Sequence, residues 1–480
     1  MATKYHISNS GTIVVCHASV TSCPKDNFDS KYDAEQFLSQ NYSSIPSAST
    51  RRTTALQDAE KYYGGKYVTE YYLPLPDAIE SVLEGIRAVG GNPLIVGGTV
   101  RDSFAGQKNK DFDIEVHGID IDKLTNHLRN TGYIVDEVGK QFGVLKVQKG
   151  SLKDLDISVP RRENRTGAGH RSFEVSMDKD MTIDEAVERR DFTFNSVMYD
   201  HKLRVLVDPK NGKQDYENKI MRHVSEKFAE DPLRVLRGFQ FASRFDMKYA
   251  PETAEICKSL RKEYDDLSVE RVRDEWEKFF TKGDKLSIGI KALQESGWDD
   301  ISPGLRDVLK DKNVSQSLDK LNSLPKNQRV IFGAAIISRK MSEDDKKNFL
   351  NISVTGQREQ RSAKVLSEIT DESLSDTYKR KKAALRLSKS GVSLRDYKTL
   401  SGLTGGSTGV GLANLGIREG VGDKPEPDFI NGQDILSKTD KKPGPWTGKV
   451  LSELRDLQYL GALENRSAAL SHLDEILCKI

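Results

Sequence analysis

The sequence is poor in cysteine and has no long apolar run. Four cysteines in 480 residues are too few for a disulfide framework and are typical of a reducing compartment. No apolar stretch reaches the roughly 20 residues that cross a bilayer as a helix. Residues 1–10 also lack the charged and apolar regions of a signal peptide. These absences predict a cytoplasmic protein with no membrane attachment.

Neither sign of charge is in excess. The 74 basic and 72 acidic residues leave a formal net charge of +2, so the field of the whole molecule is weak. A nucleic-acid partner would therefore have to use local basic patches. With 36% hydrophobic and 30% charged residues over this length, we expect a well-solvated protein with several domains.

What the sequence does contain is a dense motif over residues 96–115, V-G-G-T-V-R-D-S-F-A-G-Q-K-N-K-D-F-D-I-E. The apolar run before it predicts a short buried strand that ends at Gly97 and Gly98. A glycine backbone can approach a phosphate closely and direct its N–H groups at the anion. Arg101 follows, and its forked guanidinium suits phosphate oxygens. This half of the motif therefore predicts phosphate binding.

The second half of the motif carries two acids. Alternate residues of a strand share a face, so Asp111 and Asp113 should point together while Phe112 and Ile114 point into the core. Neighbouring carboxylates repel one another unless cations lie between them. Hard divalent ions with a triphosphate as co-ligand meet that need. A Gly-Gly or D-x-D pair alone is more often a turn or a solvated strand edge, but together they predict metal-dependent chemistry on a nucleoside triphosphate.

The ordered combination of strand, Gly-Gly, V-R-D, loop and D-F-D-I resembles the active-site motif of the class II tRNA nucleotidyltransferase and bacterial poly(A) polymerase family. The resemblance implies an α+β fold: a polymerase-beta-like head, built on a small mixed sheet with helices, precedes a mainly α-helical neck, body and tail. The expected segments are an N-terminal extension of unknown role (1–73), the head (74–220), a neck with the nucleotide-recognition helix (221–290), a body (291–395), and a linker with an RNA-binding tail (396–480).

Asp156 lies in L-D-I-S-V-P-R-R, which predicts a further strand ending at a proline. The resemblance places a third carboxylate here, as general base or extra metal ligand. The alternative is an acid that fixes a neighbouring arginine, and both interpretations stay open. Residues 164–170 should form a loop that helps to close the site.

Residues 188–195, E-R-R-D-F-T-F-N, resemble a second motif of the family. An adjacent arginine and aspartate can donate to and accept from ribose hydroxyls, and the resemblance assigns this role to Arg190 and Asp191. The structural alternative is that Asp191 pairs with Arg190 and caps a turn.

Residues 230–242, E-D-P-L-R-V-L-R-G-F-Q-F-A, have helical spacing and resemble a third motif. Asp231 and Arg234 would share a helix face, although an aspartate before a proline is also a common helix cap. Cytosine and adenine each offer an amino group beside a ring-nitrogen acceptor, so a carboxylate and an arginine can select both. The resemblance assigns this selection to Asp231 and Arg234, with Arg237 as a further nucleotide contact.

The predicted reaction is transfer of CMP and AMP from CTP and ATP to the 3′ end of tRNA. The resemblance implies two Mg²⁺ held by Asp111 and Asp113, and a triphosphate held by Gly97, Gly98 and Arg101. The alternatives are poly(A) tailing, addition of only CC or only A, and a non-catalytic RNA-binding relative. The Gly-rich residues 401–411 should be a linker, and the tail after them should grip the tRNA.

Overall fold

The computed structural model describes residues 4–7, 13–16, 27–28, 48–64, 67–107, 111–150, 152–165, 173–421 and 427–478. These residues form two compact units. The first, here called the head unit, extends to residue 218 and includes 223–228; the second, the helical unit, contains 219–222 and residues from 229 onward. A mixed sheet precedes a mostly helical part, which confirms the predicted fold class.

The strands of the head unit are β1 (Lys4–Ile7), β2 (Ile13–Cys16), β3 (Asn27–Phe28), β4 (Val68–Glu70), β5 (Asn92–Val96), β6 (Asp113–His117), β7 (Ile134–Asp136), β8 (Val144–Lys149), β9 (Leu152–Ser158), β10 (Arg161–Arg165), β11 (Phe173–Met177), β12 (Met198–Asp200) and β13 (Val205–Val207). Its helices are α1 (Ala48–Tyr63), α2 (Asp77–Ala88), α3 (Gly98–Ser103), α4 (Ile121–Asn130), α5 (Ile183–Val187) and α6 (Gly212–Glu217).

Eight strands form the main sheet, in the order β4-β13-β12-β5-β6-β9-β8-β7. Only β6 and β9 are parallel; every other neighbouring pair in this sheet is antiparallel. The edge strand β4 pairs with β13, so the segment predicted as an extension up to residue 73 contributes a strand to the head. Three residues, V-T-E, carry no periodic signal, and only the pairing with β13 identifies them as sheet.

The alternating side chains of β5 divide the core between the two faces of the sheet. Ile95 packs in a cluster with buried residues of α2 and α4, whereas Leu94 and Val96 pack in a cluster with Ala59 of α1. Each face of the sheet is therefore covered by helices, and the ends of the strands are left to carry polar groups.

The helical unit contains the short strands β14 (Ile220–Met221) and β15 (Lys248–Tyr249). Its helices are α7 (Leu233–Phe245), α8 (Pro251–Ser259), α9 (Val269–Lys282), α10 (Leu286–Glu295), α11 (Leu305–Leu309), α12 (Lys312–Asp319), α13 (Lys326–Ser338), α14 (Glu343–Ser353), α15 (Gln357–Glu368), α16 (Thr377–Lys389), α17 (Leu394–Leu403), α18 (Ser407–Arg418), α19 (Gly432–Leu436), α20 (Pro445–Tyr459) and α21 (Arg466–Leu477).

The linker predicted over residues 401–411 is wrong, because α17 and α18 occupy most of it. Gly405 supplies the positive φ of 78° that the turn between them needs. Gly409 lies where an added Cβ would meet Oγ of Ser401 at 2.3 Å. These glycines serve close helix packing, which composition cannot distinguish from a flexible link. Among the described residues, no helix has the length and apolar character of a membrane span.

Candidate active site

The Gly97–Gly98 pair forms the predicted turn after β5. Gly97 has φ +70° and ψ −136°, and α3 begins at Gly98. A Cβ on Gly97 would lie 3.2 Å from Oδ2 of Asp113. Glycine is therefore needed here for its backbone conformation and for the space that it leaves beside a carboxylate.

Asp113 is the first residue of β6 and Asp111 lies two residues before it, and burial alternates along this segment as predicted. Both residues are exposed, whereas Phe112 and Ile114 between and after them are 9% and 0% exposed. The backbone carbonyl of Asp111 accepts a 2.6 Å hydrogen bond from the hydroxyl of Thr99, next to the glycine turn. The turn and the two acids are thus fixed to each other.

Asp156 lies directly opposite Asp113, because β6 and β9 run parallel in the register that pairs these residues. Paired residues of adjacent strands point to the same face of a sheet. The structure therefore brings the third predicted carboxylate beside the first two. The oxygen Oδ1 of Asp156 is buried and forms an ion pair with Nζ of Lys146 at 3.2 Å.

The pKa of Asp113 is raised above its ordinary value. The largest cause is loss of water around its carboxylate, although the residue as a whole is exposed at the sheet edge; repulsion from Asp156 and Asp111 adds to it, while Arg190 and Lys146 oppose it. At Asp113, these two cations do not outweigh the loss of water and the repulsion from the other acids. A divalent cation would relieve this repulsion.

No group of three or more His, Cys, Asp or Glu side chains converges into a complete metal site among the residues that the structure describes. The donor set nevertheless fits Mg²⁺, which is usually bound through one or two carboxylates plus substrate phosphates and water.

Arg101 is not an open phosphate receptor in this structure. It is 5% exposed, its Nε donates to Asp102 at 2.8 Å, and its Nη1 donates to Asn195 at 2.7 Å. The amide of Asn195 in turn donates to Asp191 at 2.9 Å. A buried chain of hydrogen bonds therefore joins the V-R-D motif to the R-D-F-T-F-N motif. A direct contact of Arg101 with phosphate stays a prediction.

Asp191 is also buried, at 7% exposure. Its Oδ1 accepts from the backbone N–H of Phe192 at 2.7 Å, at the start of the short 3₁₀ turn Thr193–Asn195. The N-cap of this turn is Phe192, which makes no side-chain capping bond, so the structural alternative for Asp191 stays a prediction. Arg190 donates to Glu115 at 3.0 Å.

The sequence analysis missed Glu115, which is 0% exposed and lies on β6 two residues after Asp113. Its Oε2 accepts hydrogen bonds from Arg189 at 2.9 Å and from Arg190 at 3.0 Å. These cations hold the pKa of Glu115 well below its usual range despite the opposing effect of burial, the largest single influence on it. The signal was present, since D-F-D-I-E places a third acid in the same alternation.

The third motif lies in the helical unit. Asp231, Arg234 and Arg237 are half-buried at three-residue spacing, while the positions between them are buried, so they share one face at the start of α7. Oδ1 of Asp231 accepts from the backbone N–H of Leu233 at 3.2 Å, although the N-cap of α7 is Pro232. Its Oδ2 accepts from Arg271 of α9 at 2.7 Å, a partner that sequence reasoning did not identify.

Two further expectations have different outcomes. The loop predicted at residues 164–170 lies outside the described residues from 166 onward. In the helical unit, residues 430–476 of the predicted tail form a small hydrophobic core of their own.

Comparison with known proteins agrees with these motifs. Residues 94–222 match the family described as Poly A polymerase head domain. A 208-residue segment is 36% identical to the Multifunctional CCA protein of Aliivibrio salmonicida (strain LFI1238), covering 42% of this chain and 48% of that protein. A 189-residue segment is 38% identical to the Multifunctional CCA protein of Vibrio vulnificus (strain YJ016), covering 38% and 44%. The chain thus spans about half the length of these curated relatives.

Solved structures share the fold over a longer range. The Bacillus stearothermophilus CCA-adding enzyme in complex with CTP aligns with a TM-score of 0.62 at 20% identity, over 84% of this chain and 99% of that one. The Thermotoga maritima CCA-adding enzyme complexed with tRNA aligns with a TM-score of 0.52 at 16% identity, over 86% and 100%. Residues 94–222 are therefore similar to the Poly A polymerase head domain family, and the chain shares the fold of CCA-adding enzymes.

Proposed function

We propose that this protein is a template-independent nucleotidyltransferase that adds CMP and AMP, from CTP and ATP, to the 3′ end of tRNA. The observation that carries the proposal is the row of acids at one sheet edge: Asp113 opposite Asp156, with Asp111 two residues away. The nucleotide and RNA substrates are carried over from solved structures of the same fold, which are described as complexes with CTP, ATP and tRNA. A cytoplasmic location, where these substrates meet, is part of the proposal.

Asp111 and Asp113 would hold two Mg²⁺ ions. When bound, such ions neutralise the triphosphate and lower the pKa of the attacking 3′ hydroxyl. Asp156 is proposed as the third carboxylate, which accepts the proton of that hydroxyl or completes the ligand set. Its pairing with the exposed Lys146 keeps the carboxylate oriented along the same edge.

Ribose recognition is assigned to Arg190 and Asp191. Asp191 is held in place through Asn195 by the buried Arg101, so Arg101 acts in this proposal mainly as a positioning residue. The bare backbone at Gly97 and Gly98 leaves room for the triphosphate.

Base selection is assigned to the exposed face at the start of α7. The carboxylate of Asp231 would accept from the amino group of cytosine or adenine, and Arg234 would donate to the ring nitrogen beside it. Arg237, one turn further along, is the additional nucleotide contact. The ion pair of Asp231 with Arg271 supports a carboxylate held in a fixed orientation.

The test uses three tRNA transcripts that end before the CCA sequence, after its first C, and after its second C. Each is incubated with Mg²⁺ and with labelled CTP, ATP, GTP or UTP, singly and in mixtures, and product lengths are resolved to single nucleotides. The proposal predicts addition of two C residues and then one A, with no use of GTP or UTP. The variant Asp58→Asn, which changes an exposed acid on α1, should behave as wild type.

Poly(A) polymerase is the second candidate, because the matching family is described by that activity. Long A tails on all three transcripts and on unrelated RNA would favour it. Addition that stops after CC, or that starts only on transcripts ending in CC, would identify a partial enzyme. Binding of the transcripts without any incorporation would identify a non-catalytic relative.

A further inference from the structure

A completely buried carboxylate lies behind the exposed acids of the proposed site. Glu115 pairs with Leu94 of β5 and with Ser158 of β9, so it lies in the middle of the sheet. It shares the alternation of Asp111 and Asp113 along β6. Asp111, Asp113 and Glu115 thus form one row, and the last of them is buried where a charge costs free energy.

Three cationic or potentially cationic groups surround this carboxylate. Besides the two arginines on Oε2, Nε2 of His117 lies 3.2 Å from Oε1, and Nδ1 of His117 lies 3.3 Å from the carbonyl oxygen of Met181. A buried charge with such partners is fixed in position, because any movement would leave it unpaired. Glu115 is therefore an anchor for the groups that bind it.

Arg189 and Arg190 are neighbours in sequence, yet both reach the same oxygen. The chain makes this possible by turning after α5, where the N–H of Arg190 donates to the carbonyl of Val187 at 2.9 Å. Each arginine side chain is 21% exposed, so each keeps some contact with solvent while it binds Glu115. The Nε of Arg190 is buried and has no hydrogen-bond partner.

Arg190 connects the buried Glu115 with the exposed acids at the start of β6. The positive charge of Arg190 is the largest influence that opposes the raised pKa of Asp113, so this guanidinium lies within electrostatic range of the edge. Glu115 thus holds one arginine between the interior of the sheet and the carboxylates at its end. Without the anchor, a long arginine side chain would sample several rotamers.

We infer that Glu115 is a positioning residue: it holds the guanidinium of Arg190, together with that of Arg189, in the orientation that receives the ribose and phosphate of an incoming ribonucleotide. The inference rests on the proposed function and adds a residue to its nucleotide site. Glu115 itself touches no substrate in this account. Its effect passes through Arg190 and is therefore visible in nucleotide binding more than in the chemical step.

The test compares Glu115→Gln, Arg190→Ala and the double variant by steady-state incorporation of CTP and of deoxy-CTP. We expect Glu115→Gln to raise KM for CTP roughly tenfold, the scale of one charge-assisted hydrogen bond, with kcat changed less than threefold or so. Its preference for CTP over deoxy-CTP should shrink. The double variant should match Arg190→Ala, because an anchor has no effect once its arginine is absent.

Asp200→Asn is the matched control. Asp200 is another buried acid of the same sheet, paired with Arg87 at 3.2 Å, and its loss should lower stability without changing KM for CTP. If Glu115→Gln fails to fold, Glu115→Gln/Arg189→Gln removes one charge of each sign and should show the same rise in KM. Failure of both to fold, with Asp200→Asn folded, would make Glu115 purely structural and overturn the inference.

The two proposals fail in different ways. Absence of incorporation by the wild-type protein refutes the proposed function. Normal wild-type incorporation, with KM unchanged in folded Glu115→Gln or with fully additive effects in the double variant, refutes the role of Glu115 alone.

Discussion

Acidic side chains have opposite surroundings at the start and in the middle of strand β6. At the exposed start, Asp113 lies opposite Asp156, and its pKa is raised by loss of water and by repulsion from Asp156 and Asp111. In the middle of the strand, the buried Glu115 binds two arginines, and its pKa is lowered. Asp113 and Glu115 are two residues apart on β6, so burial alone does not set the pKa of an acid. The pKa also depends on whether the fold places cations beside the carboxylate.

The helical unit repeats the second arrangement. Asp231 is half-buried and paired with Arg271, which orients the carboxylate without any added ion. The comparison therefore separates the acids proposed to bind a metal from acids that are already paired within the protein. Four substitutions test that division.

The largest effect is expected for Asp113→Asn. Removing one charge from the open edge should remove the metal-binding capacity and reduce incorporation by roughly a thousandfold or more. Binding of tRNA, measured by filter retention, should stay within about twofold of wild type. Residual activity above a few per cent would show that Asp113 is not a metal ligand.

The second prediction concerns the stability that the buried Glu115 contributes. Glu115→Gln should lower the free energy of unfolding by about 3 kcal/mol at neutral pH, since it leaves two arginines without their anion. The pKa of Glu115 is lower in the folded state than its ordinary value of 4.5, so its stabilising contribution is complete above about pH 4.5 and is lost as the pH falls. Urea unfolding of the wild type and of Glu115→Gln between pH 7 and pH 3 should show that the difference between their free energies of unfolding becomes smaller as the pH falls. A difference that does not change with pH would contradict the lowered pKa of Glu115.

Arg234→Ala tests the helical unit. Loss of the donor to the ring nitrogen should relax the choice of C and A over U and G by roughly 10- to 100-fold. The measurement is the ratio of kcat/KM for the four nucleotides. Arg244→Ala, which removes an arginine further along the same helix, serves as the control. Unchanged selectivity in Arg234→Ala would refute the templating role of this helix face.

Gly97→Ala should have the smallest effect. Its backbone conformation and the 3.2 Å approach of Asp113 predict a loss of about 1–2 kcal/mol in stability, together with reduced incorporation. Gly150→Ala is the matched control, because Gly150 also has a positive φ, of 59°, but has nothing within 4 Å of the added Cβ. Equal incorporation by the two variants would show that the space beside Asp113 is not used.

Much of this site was predictable because its signals are local. Strand alternation placed Asp111 and Asp113 on one side, and the abrupt end of an apolar run located the glycine turn. Helical spacing put Asp231 and Arg234 on one face. In each case, neighbours in sequence are neighbours in space, so periodicity suffices.

Tertiary structure decided which side chains meet. The parallel register of β6 and β9 places Asp156 against Asp113, and sheet order cannot be derived from either strand alone. The same holds for the burial of Arg101 against Asn195, for the two arginines on Glu115, and for the strand β4 that the head takes from the segment before residue 74. The sequence by itself determined the residue types and their local faces, because these depend on backbone period. The long-range pairing of charges depends on how distant strands align, and only the folded chain contains that information.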